Sequence, residues 1–239
     1  MKRIGLDARL ALASAFVRQG AVFADVGTDH GYLPLSLIEQ GRIERAICSD
    51  INPGPLSSAM DNAREMGLAD RVEAVLTDGL QGLEDRGLTD VAICGMGGEL
   101  IADIIDRAPW TRSRGIRLIL QPMSRQDRLR LFLTSAGYRI AKEGYCTAQG
   151  KHYVCMLAEY AGSPTRLSLE ESVLGLAPNG DGQTDSYINY LRDKLRGAIK
   201  ARDGRRGEDR LAYESLVSAI RERIASLGGN PDTDGAEEI

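Results

Sequence analysis

Asp29 stands between Gly27 and Gly31 in the segment DVGTDHGYLP, residues 25–34, directly after a β-rich run. Glycines at such a turn allow left-handed angles and let a ligand approach the backbone. In dinucleotide-binding folds this turn and the helix behind it carry a pyrophosphate, because free N–H groups and the helix dipole favour an anion. A carboxylate a few ångströms from a phosphate costs on the order of a few kcal/mol at an effective dielectric of about 20, whereas beside a cation the same interaction stabilises. The loop therefore suits a nucleotide-like ligand that carries a positive group. The competing reading makes Asp29 a turn former or a helix cap, and His30 reads either as a ligand contact through a ring nitrogen or as a helix cap.

Other strand ends carry matching groups. Asp25 closes the first strand, Asp50 the second, and Asp78 with Gly79 the third; Asp50 follows Gly27 at the spacing where an acid reaches ribose hydroxyls. Asp78 is placed to accept from an adenine amino group. Each acid alone reads as a cap, but acids at the carboxyl ends of successive parallel strands face one crevice. The fourth strand ends in CGMGGEL, where Gly95, Gly97 and Gly98 leave backbone bare enough for a flat base, or serve only a tight turn. S-adenosylmethionine (SAM) fits this set: an adenosine with a sulfonium, an ammonium and no phosphate.

Positioning these groups requires alternating strands and helices. Strands are expected at 21–27, 45–51, 71–77, 90–95, 116–122, 138–144 and 152–160, with helical spacing at 33–40, 55–66, 99–107 and 125–136. The alternation predicts an α/β fold with a parallel sheet. The last two strands, with no helix between them, predict an antiparallel pair at an edge. Residues 1–17 read as a helix rather than an export signal. After the Gly162-Ser163-Pro164 linker and a turn over 177–182 come two heptad seams, Ile188, Leu191, Leu195, Ala198 and Tyr213, Val217, Ile220, Ile224, Leu227. They predict a helical hairpin leaning on the first domain, more simply than a dimer zipper. The expected domains are thus 1–162, 163–228 and a disordered acidic tail, 229–239.

The apolar stretches are too short to cross a bilayer. The four cysteines form no C-x-x-C pair and only two histidines accompany them, so a metal site is not expected and reduced thiols in cytosol are. Of the net charge of −4, the tail alone supplies four acids and no base, so the body is neutral. Basic groups nevertheless cluster at Arg112, Arg114, Arg117, Arg125, Arg128 and Arg130, and again at Arg192, Lys194, Arg196, Lys200, Arg202, Arg205, Arg206 and Arg210. Local clusters of this kind attract phosphate.

DVGTDHGYLPL, SDINPGPLSSA, TDGL, ICGMGGELI and LILQPM, in this order, resemble the bacterial tRNA adenine-N1 methyltransferases that modify adenine 22, a class I SAM-dependent family. The resemblance implies a Rossmann-like methyltransferase domain with an antiparallel last strand, followed by a coiled-coil-like helical domain. It implies a cofactor site at Gly27, His30, Gly31, Asp50, Ile51, Asp78 and Gly79, with Met96 and Gly97 near the reactive end. Gly31 stands where many relatives have alanine, and residues 146–150 differ from the family pattern. The implied substrate is tRNA. N1 of adenine has a free lone pair, so catalysis consists of placement, worth roughly 7–11 kcal/mol, and of a carboxylate facing the ring as it becomes cationic. Asp29 is the candidate for that carboxylate. The alternatives are a NAD-dependent oxidoreductase, a methyltransferase acting on a small molecule, a protein or another RNA, and a non-catalytic protein that binds SAM or RNA.

Overall fold

The computed structural model describes residues 4–113, 115–178, 180 and 182–232; residues 1–3 of the expected first helix, Arg114 of the first basic cluster, Asn179 and Asp181 of the expected turn, and residues 233–239 of the tail lie outside them. After α1 (Ala8–Phe16) the chain runs β1 (Phe23–Val26), α2 (Tyr32–Glu39), β2 (Ala46–Asp50), α3 (Pro53–Glu65), β3 (Val72–Leu76), β4 (Asp90–Gly97), α4 (Gly98–Asp106), α5 (Trp110–Ser113), β5 (Arg117–Ser124) and α6 (Gln126–Ser135). There follow β6 (Tyr138–Ala148), β7 (Lys151–Tyr160), α7 (Leu169–Leu174), α8 (Thr184–Asp203) and α9 (Gly207–Ser226).

The seven strands form one sheet in the order β3-β2-β1-β4-β5-β7-β6. β1 to β5 are parallel, and β7 enters antiparallel between β5 and β6. The expected antiparallel pair is therefore present, with β6 rather than β7 at the edge. Gln149 and Gly150 join the pair with positive φ of 50° and 70°. Two such residues match the right-handed twist of the strands, as short hairpins require. This lengthens β6 through residues 146–148, beyond the expected end at 144.

Strand alternation divides the core into two layers. Ala24, Val26, Val91, Ile93, Leu118 and Leu120 face a cluster with Ile101, Ile105, Leu129 and Leu133, while Phe23, Ala92 and Ile119 face one with Phe16, Leu33, Leu37 and Leu56. Helices thus cover both faces, which is why the central strands read as unbroken apolar runs. Leu191, Leu195 and Ala198 of α8 and Val217, Ile220 and Ile224 of α9 belong to the first cluster. The two seams close on each other within one chain, and the helical region shares a core with the α4–α6 face. The first residues of the expected structureless tail are packed: Asn230 O accepts from Arg192 Nη2 at 2.9 Å, Arg221 pairs with Asp232 at 3.2 Å, and Gly229 lies against Ile188 and Ile224.

A buried ion pair fastens the helical region to the sheet. Arg130 of α6 meets Glu143 of β6 through Nε to Oε1 at 2.6 Å and Nη2 to Oε2 at 3.1 Å, with both side chains essentially inaccessible. Arg130 Nη1 donates to Ser172 O at 2.8 Å and to Tyr190 Oη at 3.1 Å. Glu143 Oε2 accepts from Tyr145 Oη at 2.6 Å and Leu176 N at 2.9 Å. Gly175, at φ 66°, has no room for a Cβ against this pair. Removing one charge of a buried pair leaves the other uncompensated, a loss of about 3–5 kcal/mol. Glu143→Gln is expected to lower unfolding free energy by about that amount in urea denaturation; a loss well under 1 kcal/mol would show that water reaches Arg130.

Candidate active site

The strand order reverses between β1 and β4, and ligands of such sheets bind outside the carboxyl ends at that point. A cavity of about 390 Å³ lies there. Its floor is Asp25, Gly27, Cys94 and Gly95, one wall is Thr28 to Leu33, and the opposite wall is Asp7, Arg9 and Leu10 at the start of α1. Gly27 takes φ 73° so that its N–H and that of Thr28 turn back onto Ser49 O, at 2.8 and 3.0 Å. The Met96 side chain occupies the place a Cβ on Gly27 would need. Gly31, at φ 67°, begins α2 against Ala59, whose Cβ would lie only 3.0 Å from a Cβ added there.

Asp25 is buried at the end of β1, and Thr28 Oγ1 donates to its Oδ2 at 2.5 Å. Burial pushes its carboxyl up to about 6, with the Thr28 hydrogen bond opposing. Asp90, the buried acid at the other end of the sheet, receives Arg18 at 2.8 Å. The two differ in kind: Asp90 has its cation, and Asp25 faces a cavity. Cys48 and Cys94 are held as thiols, first by burial and then by the charge of Asp25.

Of the expected site residues, Asp25, Gly27, Asp29, His30 and Gly31 come together around the cavity, and the others stand at neighbouring strand ends. Asp29 is at the rim with its side chain 82 % exposed, 3.4 Å from His30 Nε2. The His30 ring stacks on Tyr32 at 5.1 Å. Asp50 accepts from Asn52 N at 2.7 Å, and Ile51 is exposed beside it. Asp78 is engaged: Arg107 holds it through two hydrogen bonds at 2.6 and 3.1 Å and keeps its carboxyl below the usual range. An adenine amino group would have to share Asp78 with that exposed pair. Gly79, at φ 62°, lies against Ile104. Of the glycines after Cys94, Gly95 presents open backbone to the cavity, whereas Gly97 pairs with Ser124 and Gly98 is packed against the backbone carbonyl of Arg125.

Residues 6–156 match the family described as a methyltransferase domain. The tRNA (adenine(22)-N(1))-methyltransferase of Bacillus subtilis is 32% identical over 159 residues, spanning 66% of this chain and 67% of the relative. The chain belongs to that methyltransferase family. The solved B. subtilis m1A22 tRNA methyltransferase is 25% identical with a TM-score of 0.74, covering 94% of this chain and 98% of that one. Sp1610 of Streptococcus pneumoniae, a candidate tRNA (m1A22) methyltransferase solved with S-adenosyl-L-methionine, is 32% identical with a TM-score of 0.76, covering 91% and 99%. Coverage of this extent takes in the helical region as well as the methyltransferase domain.

Asp7 and Arg9 were not among the residues the sequence singled out for this methyltransferase. Asp7 caps α1 by accepting from Leu10 N at 2.9 Å, and its Oδ2 receives Arg9 Nε and Nη2 at 3.1 and 2.6 Å. Arg9 Nη1 reaches the Met123 thioether at 3.5 Å, and the guanidinium lies over the Tyr153 ring at 5.4 Å. The cap was legible as an acid before an apolar helix, but nothing local places the start of that helix at the carboxyl ends of the strands. Tyr32, Ile51, Leu76, Leu100 and Met123 are exposed there, one at or just past the end of each parallel strand. An apolar rim around polar groups marks a binding site.

The basic clusters of the methyltransferase are largely neutralised. Arg112 pairs with Asp106, Arg117 with Glu159 and Arg130 with Glu143. In the helical region Arg196 pairs with Asp193, Arg202 with Asp203 and Arg210 with Glu214, while Lys194 donates to Gln126 at 2.7 Å.

Because the folded Asp25 carboxyl titrates near 6 and its ordinary value is 3.8, the folded state binds the extra proton between those pH values. Stability therefore falls as pH rises from about 4 to 6, by about 3 kcal/mol in all. Asp25→Asn keeps the acceptor for Thr28 without the charge. It is expected to abolish that pH dependence and to stabilise the ligand-free protein at pH 7.5, measured by thermal unfolding across pH; an unchanged profile would show that Asp25 is solvated.

Proposed function

We propose that this chain transfers the methyl group of S-adenosylmethionine to N1 of an adenine in tRNA, at position 22. The observation that carries the reading is Asp25: a buried carboxyl, ionised at neutral pH, facing a cavity beside a glycine loop whose rim holds a second carboxylate, Asp29. A dinucleotide would set a diphosphate against both charges, and the oxidoreductase reading fails on that repulsion. A zwitterionic sulfonium ligand meets charges of the right sign at both ends.

Bound here, the cofactor supplies a methyl group already activated on a positively charged sulfur. The chain's own groups hold and orient. Asp25 would face the cationic part of the methionyl end, and Arg9, the one arginine or lysine of the cavity lining, would face its carboxylate with the N–H that now rests on Met123. Asp50 is offered to the ribose, while Ile51 and Leu76 supply apolar cover for the adenine. Gly95 leaves space at the reactive end, flanked by Met96 and Gly97. The target base must be extruded or already unpaired to present N1, and the stacked His30 and Tyr32 rings give it an aromatic surface. Asp29 then lies where a carboxylate stabilises the ring as it becomes cationic. In the free protein that carboxylate is washed by water; covering it with RNA is what would make its charge count. Lys200 and Arg206, with Arg205 stacked over Tyr213 at 4.2 Å, are the groups of the helical region offered to tRNA phosphates.

Incubation with methyl-labelled SAM and tRNA, followed by nucleoside mapping, is expected to place 1-methyladenosine at position 22; label elsewhere or none would overturn the reading. Asp29→Ala is expected to lower kcat about tenfold or more, in keeping with the loss of one electrostatic stabiliser, with SAM affinity nearly unchanged by calorimetry. Equal kcat values would remove Asp29 from catalysis.

A further inference from the structure

Two turns meet backbone to backbone on the reactive side of the cavity. Gly97 at the end of β4 pairs with Ser124 at the end of β5, and Gly98 packs directly on the Arg125 carbonyl, leaving no room for a Cβ. The same carbonyl accepts the Leu129 N–H at 3.1 Å as α6 begins. Held at both ends, Arg125 adopts φ 55° and ψ 39°, and among the described residues only Gln149, in the tight β6–β7 turn, is a non-glycine with a comparable φ. Glycine would take this conformation freely. An arginine in its place calls for a reason in its side chain.

That side chain is exposed and has no carboxylate partner among the described residues, although Arg112, Arg117 and Arg130 of the same cluster are all paired. It stands two residues beyond Met123, the exposed thioether against which Arg9 rests at the cavity wall. A free cation therefore follows an apolar surface at the edge of β5, next to the strand end where the methyl acceptor must arrive.

We propose that Arg125 grips the backbone phosphate flanking the target nucleotide, with Met123 supporting the adjoining base or sugar. The proposal rests on the tRNA reading above. An extruded base brings its own phosphates to the cavity mouth. A guanidinium on a backbone locked to Gly98 meets them without further ordering of the main chain. Its contact fixes position rather than sequence.

Arg125→Gly removes the guanidinium and suits the left-handed backbone, so the fold is not put at risk; Arg125→Lys keeps the charge. Methylation of tRNA is measured at a series of salt concentrations, with SAM affinity measured by calorimetry on the same samples. The Gly variant is expected to raise KM for tRNA about tenfold and to flatten the salt dependence of log kcat/KM by about 0.7–0.9, the share of one phosphate. SAM affinity and Tm should hold, and the Lys variant should recover most of the salt slope. An unchanged KM and slope in Arg125→Gly overturns the assignment, as does a loss of SAM affinity. A wild-type protein that binds SAM yet methylates no tRNA would instead count against the proposed function.

Discussion

Asp25 carries a charge at neutral pH where water scarcely reaches it, and the site is built around that fact. Its ionisation within the fold costs about 3 kcal/mol relative to an ordinary carboxyl. A mutation-tolerant core would not retain such a cost, and the contrast with Asp90 shows that this sheet can neutralise a buried acid when the acid is only structural. What distinguishes Asp25 is the turn above it. Gly27 and Gly31 fold the chain back so that Thr28 donates to the carboxyl from the loop, and Asp25 lines the cavity beside it. A cation arriving there recovers the desolvation cost, so selectivity for a positively charged ligand is a consequence of instability in its absence.

The helical region is tied into the same architecture from the opposite side. Arg130, one turn into α6, is held by Glu143 and by carbonyls of α7, while Lys194 of α8 bonds to Gln126 at the first residue of α6. Gln126 in turn reaches back to Pro122 O at 3.4 Å. The chain of contacts ends at the β5 edge where Met123 and Arg125 stand. The helical region is thus joined to this strand end through polar contacts and a buried ion pair.

Much of this was legible in the sequence because it depends on local periodicity. The parallel strands and four intervening helices fall within a few residues of their expected limits, and both heptad seams face the core as spaced, with Tyr213 and Leu227 at the ends of the second only partly buried. The short α7 was missed although Ser168 and Glu171 form a capping box, a local signal left unread. Other features could not have been read. Arg117 finds Glu159 across 42 residues, and Asp78 finds Arg107 across 29, so whether a charge is free or paired depends on tertiary neighbours that no spacing rule encodes. The wall formed by Asp7 and Arg9 was hidden for the same reason. Motif spacing identifies groups on the glycine loop, but not a helix terminus delivered from elsewhere in the fold.

That distinction between charge present and charge available bears on how a nearly neutral protein holds a polyanion. Counterion release scales with the phosphates actually neutralised, not with the number of arginines in a chain. Here Arg196, Arg202 and Arg210 on the helices are each engaged with a neighbouring acid, and most of the β5 cluster is engaged as well. A few free cations at separated points cannot act as a general electrostatic sink; they reward only an RNA whose phosphates reach several of them at once. The geometry of the folded RNA then does the selecting, and the cavity receives whichever base that fit delivers. Sparse, well-placed charge also limits affinity for the product, which an enzyme acting on many molecules in succession requires.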